Sequence, residues 1–75
     1  MLLNCEIGAE TEIVDEMSKI SGVSETARVS GIYDIVAKIS EESKESLVTL
    51  VKQIRAIENV RSSLTMIVAE DQIEQ

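Results

Sequence analysis

Residues 10–20, ETEIVDEMSKI, place Ile13, Met17 and Ile20 on one face of a helix. Glu10 and Glu12 fall in its first turn, where the helix dipole favours negative charge. Gly22 is positioned to stop it. The period then changes. In VSETARVS, residues 23–30, Val23, Ala27 and Val29 share one side and Ser24, Thr26 and Arg28 the other, with Glu25 breaking the rule. A period of two is that of a strand covered on one side. Gly31 marks a turn, and Tyr33 to Ile39 alternate again. Two strands this close in sequence form an antiparallel hairpin. A polar patch, SEESKES, follows, with Ser43 as the expected N-cap. Leu47, Leu50, Val51, Ile54 and Ile57 then make the strongest helical stripe, which Glu58-Asn59 ends. The first strand is expected over 2–7 and closes at Gly8. The last is expected over 60–69, and 70–75 is a polar tail that frays.

A shift of 37 positions superposes the two helix-strand units. Ile13 falls on Leu50, Val14 on Val51, Met17 on Ile54, Ile20 on Ile57, Gly22 on Asn59 and Val23 on Val60. Two such units, each preceded by a strand, spell βαββαβ, the ferredoxin-like split βαβ arrangement. The expected fold class is therefore α+β: a four-stranded antiparallel sheet with two helices on one face. A three-helix bundle does not fit the β-branched, period-two stretch 23–39. By simple alternation the uncovered sheet face carries Asn4, Glu6, Ser24, Thr26, Arg28, Val36, Lys38, Arg61, Ser63, Thr65 and Ile67. Such a mixed face suits either water or a second subunit.

Length favours the subunit. The 75 residues make a single domain, 1–75. A chain this small buries only roughly 60% of its unfolded surface, so it gains from a staple or from self-association. One cysteine permits no internal disulfide, and the lack of histidine makes a metal cluster hard to build. The formal net charge of −7 leaves no basic patch for phosphates, so direct nucleic-acid binding is not expected. No apolar run approaches the roughly 18 residues of a membrane span, and the N-terminus lacks the basic region of a signal peptide. These features point to a cytoplasmic protein with no metal, no cofactor and no membrane contact, and with Cys5 as a free thiol.

No catalytic constellation is visible. Without histidine no nucleophile and base can be paired, so an enzyme is not expected. Cys5 reads as a buried, inert thiol and Met17 as core. Two groups suit a binding site. The hairpin Gly31-Ile32-Tyr33-Asp34 holds the only aromatic residue of the chain. Glycine lets a ligand approach the backbone, turn N–H groups can hold a carboxylate, and Asp34 can hold an ammonium. The same residues also make an ordinary turn, and the residues alone leave both readings open. Ser63 and Thr65, two apart on the last strand, point to one side as paired hydroxyls, or are plain strand residues.

Taken together and in order, GxYD before an apolar strand, then a helix, then VRSSLTMIV, the chain resembles the effector domain of the Lrp/AsnC "feast/famine" regulators, called the RAM domain. The resemblance covers about residues 2–69 and is sharpest in VSETARVSGIYDIVAKI and VRSSLTMIV. It implies sheet-to-sheet dimers with the helices outside, higher homo-oligomers, and an amino acid effector bound in a cleft between subunits. Carried over by position, Gly31, Tyr33 and Asp34 would frame that ligand, with Ser63 and Thr65 as further contacts. Full-length members carry an N-terminal helix-turn-helix domain, which has no counterpart here. The resemblance is thus to stand-alone RAM proteins or a fragment, acting on transcription indirectly. The alternative it allows is an interaction module that co-assembles with full-length Lrp/AsnC regulators and has no ligand of its own.

Overall fold

The computed structural model describes residues 1–67. The element order is β1 (Leu2–Cys5), α1 (Glu10–Ser18), β2 (Val23–Arg28), β3 (Ile35–Ile39), α2 (Lys44–Arg55) and β4 (Val60–Leu64). The strands form one sheet ordered β2-β3-β1-β4, with every neighbouring pair antiparallel. This is the ferredoxin-like βαββαβ order expected from the sequence. The strands are shorter than expected, β1 ending at Cys5 and β2 at Arg28. Tyr33 and Asp34 belong to the loop before β3 rather than to the strand. Val68, Ala69 and the polar tail 70–75 lie outside the described residues.

Both helices lie over one face because their stripes match the inward residues of the central strands. Ile13 and Met17 of α1, Leu50 and Ile54 of α2, Leu3 and Cys5 of β1, and Ile35 and Ala37 of β3 are all buried. Ser43 caps α2 as expected, its hydroxyl accepting the Ser46 N–H at 3.0 Å. No buried side-chain nitrogen or oxygen among the described residues lacks a partner.

The 37-residue repeat extends to individual hydrogen bonds. In the first unit Lys19 N–H donates to Glu16, Ile20 to Met17 and Val23 to Ile20. In the second, Ala56 donates to Gln53, Ile57 to Ile54 and Val60 to Ile57. Gly22 (φ 101°) and its counterpart Asn59 (φ 77°) both take the left-handed conformation that turns helix into strand.

The repeat also has a consequence that overturns the expected face assignment. The β2–β3 register slips between Val23 and Glu25, leaving Ser24 extra. The β1–β4 register slips between Asn4↔Ser62 and Cys5↔Val60, leaving Arg61 extra. Ser24 and Arg61 are equivalent by the same shift of 37. An extra residue of this kind, a β-bulge, reverses the facing of every residue after it. Thr26 therefore pairs with buried Ala37, Arg28 with buried Ile35, and Ser63 with buried Leu3. Directly opposed residues share a face, so these three point to the helix side. The expectation that Ser24, Thr26, Arg28, Arg61 and Ser63 alternate on the open face is corrected accordingly. For Asn4, Val36 and Lys38 it agrees with the register. The open face instead gains Leu2, Ala27 and Leu64, so its centre is apolar: Ala27 and Leu2 oppose Val36, and Leu64 opposes Leu2. The break at Glu25 was the visible trace of the first bulge.

Candidate functional site

The loop from Val29 to Asp34 sits where β1 runs into α1. Asp34 ties it down at three points. Its N–H donates to the Leu3 carbonyl at 2.9 Å, and its carbonyl accepts the Val29 N–H at 2.9 Å. Its side-chain Oδ2 accepts the Cys5 N–H at 3.0 Å. The carboxylate is thus aimed at the end of β1 and is not simply a solubilising charge. Gly31, at φ 133°, lies at the exposed tip, with open space where a Cβ would stand. Ile32 beside it is 85% exposed, whereas Tyr33 is half-buried.

Beneath the loop is a cleft of about 370 Å³ lined by Glu10, Arg28, Val29, Ser30 and Asp34. Its volume is at the lower end of the roughly 300–1,000 Å³ usual for small-molecule sites. Glu10 opens α1, and Arg28 reaches the cleft because the Ser24 bulge turns it to the helix side. Burial pushes the Cys5 thiol pKa up, and the carboxylates of Asp34, Glu10 and Glu6 add to the effect. A thiol held protonated in this way is a poor nucleophile and a poor metal ligand. Among the described residues no group of three or more Cys, Asp or Glu side chains is placed to hold a metal ion. No helix among them is long and apolar enough to cross a membrane.

The five residues singled out from the sequence do not form one cluster within the chain. Gly31, Tyr33 and Asp34 share the loop. Ser63 lies beside Leu3 on the helix-covered side of β4. Thr65 follows β4 at the opposite end of the sheet. There it lines a broad groove with Met1, Thr26, Ala37, Glu41 and Leu47. The repeat explains the separation. Arg28 shifted by 37 is Thr65, and Glu10 shifted by 37 is Leu47. The groove at Thr65 thus holds the second unit's counterparts of Arg28 and Glu10, a hydroxyl and a leucine, while Glu25, Lys38 and Glu41 also line it. Sequence reasoning missed Arg28 and Glu10 as residues that line the cleft. The available signal was the repeat, which pairs Arg28 with the already suspected Thr65.

Fold and cleft first define a class: a ferredoxin-like α+β sandwich with a polar cleft at one end of its sheet. Residues 3–75 match the Lrp/AsnC ligand binding domain, and the chain belongs to that family. Among curated proteins it is similar to homocitrate synthase of Saccharolobus islandicus strain L.S.2.15, with 38% identity over 77% of this chain. Homocitrate synthase of Sulfurisphaera tokodaii is 36% identical over 88% of this chain. The chain spans only 13% and 15% of those two enzymes. Among solved structures it is similar to a hypothetical protein of Pyrococcus horikoshii, with a TM-score of 0.84 and 22% identity. That alignment covers 99% of this chain and 93% of the other, and it shows the shared fold.

Proposed function

We propose that the chain is a small-molecule-sensing domain that takes up an amino acid where subunits meet. It would then regulate assembly, and through assembly transcription, indirectly and without catalysis. The observation that carries this reading is the anchored carboxylate of Asp34 at the mouth of a small polar cleft, in a chain of the Lrp/AsnC ligand-binding family. The apolar centre of the open sheet face, Leu2, Ala27, Val36 and Leu64, supports pairing of two sheets. Sheet pairing buries what a small core leaves exposed. Contacts from the partner's loop or last strand would complete the effector site. Gly31, Tyr33, Asp34, Ser63 and Thr65 remain its proposed residues, the last two acting from a different subunit than the first three. A ligand held between subunits stabilises whichever assembly contains its site. The test is sedimentation velocity with and without each of the twenty amino acids. A selective change in assembly size is expected, and no change with any of them would end the proposal.

The same apolar face favours a second reading, co-assembly with full-length Lrp/AsnC regulators in the absence of a ligand. Mixed oligomers formed on refolding with such a regulator would support it. The homocitrate synthase relatives fit a module used in more than one setting, since the matching part is a small share of those enzymes.

A further inference from the structure

We infer that Arg28 and Glu10 read the two charges of the ligand: Arg28 binds its α-carboxylate, and Glu10 together with Asp34 binds its ammonium. This inference rests on the sensing function proposed above and names the chemistry of the same cleft. The ion pairs among the described residues are Lys19–Asp15, Lys19–Glu16 and Arg61–Glu6. Arg28 is in none of them, although it lines a cleft of about 370 Å³ with two carboxylates. Asp34 is held in place by the Cys5 N–H, so one of the negative groups is set before any ligand arrives.

Charge decides what such a cleft admits. The chain carries −7 overall, and Glu10 and Asp34 alone would repel any carboxylate. A guanidinium offers a carboxylate two parallel hydrogen bonds, and Arg28 is the only cation among the described residues that line the cleft. Two carboxylates and one guanidinium leave a net −1. A monoanion is opposed by that balance, and a simple amine leaves Arg28 unmatched. A zwitterion satisfies all three groups. The second unit provides an internal contrast, because Thr65 and Leu47 stand at the equivalent positions and supply neither charge.

The probes are the amino acid giving the largest rise in unfolding temperature among the twenty, its carboxamide and its N-acetyl derivative, each titrated by calorimetry. For the parent chain both capped forms should bind about ten- to a hundredfold more weakly than the free amino acid, the usual worth of a hydrogen bond to a charged group. Arg28→Met should bind the free amino acid that much more weakly and no longer distinguish it from the carboxamide. Arg28→Lys should recover part of both. Glu10→Gln should weaken binding while keeping discrimination against the carboxamide. Loss of discrimination reports on recognition and is not produced by a purely structural role. Arg28 is exposed and Glu10 half-buried at a helix start, so these variants fold, as their unliganded unfolding temperatures will verify. If the parent binds an amino acid and Arg28→Met binds it equally well with the carboxamide still rejected, the inference falls and the sensing function stands. If none of the twenty binds the parent, both fall.

Discussion

Replacing Asp34 tests its part in holding the loop, apart from the binding proposed for it. In Asp34→Ala the Cys5 N–H loses its acceptor in a strand whose side chain is only 6% exposed. A hydrogen bond to a charged acceptor contributes about 1.5–3 kcal/mol, and the unmatched donor that remains costs energy of its own. The Asp34 backbone contacts to Leu3 and Val29 survive the substitution, so the loop keeps its other two ties. The expected loss is therefore about 1.5–3 kcal/mol, a fall in Tm of roughly 6–24 °C for a domain of this size. Asp34→Asn keeps an oxygen in the same place, and a neutral bond contributes about 0.5–1.5 kcal/mol, so its loss should be intermediate. The assay is urea unfolding at pH 7 and one fixed protein concentration, because the proposed assembly would make stability concentration-dependent. With an m-value of about 1–3 kcal/mol per molar, the alanine variant's midpoint should drop by roughly 0.5 M or more. An alanine variant within about 0.5 kcal/mol of the parent, the range of an ordinary surface change, would refute the clamp.

Further outcomes follow from the same geometry. Gly22→Ala forces a side chain into a φ of 101° and sets its Cβ 2.9 Å from Cδ2 of Leu50, which is itself buried. A loss of about 2–4 kcal/mol is expected, whereas Gly31→Ala, with open space around it, should lose only about 1–2, both read by thermal unfolding. The raised pKa of Cys5 means that the folded chain holds this proton more tightly than the unfolded one. Its stabilising contribution is complete below the ordinary value of 9.0 and fades as pH rises through the higher folded value. Parent stability should accordingly decline more steeply above about pH 9 than that of Cys5→Ala, and thiol labelling of the native chain should be slow until it unfolds. Val36→Glu and Leu64→Glu each place a charge on the open apolar face. Either should leave a folded species of smaller mass by light scattering, and unchanged assembly in both would remove the sheet face as the interface.

The linear sequence by itself determined the architecture. The stripes Ile13–Met17 and Leu50–Ile54 each need one apolar surface to cover, and the repeat that relates them supplies two equivalent helix-strand units. Ser43 as a cap, Gly22 and Asn59 as turns, and the βαββαβ order all follow from local chemistry, which acts over a few residues and is legible in a single chain. Facing and proximity were decided only by the tertiary structure. Whether Arg28 falls on the open or the helix-covered side of the sheet depends on one extra residue, Ser24, and Arg61 does the same for Ser63. A bulge adds nothing to hydrophobic periodicity except a phase slip, and in short strands a phase slip looks like a single exception such as Glu25. Asp34 and Thr65 share polar character, yet antiparallel pairing carries them to opposite ends of the sheet. Alternation along a strand gives the side a residue faces only while the register holds, and pairing with the neighbouring strand is what sets that register.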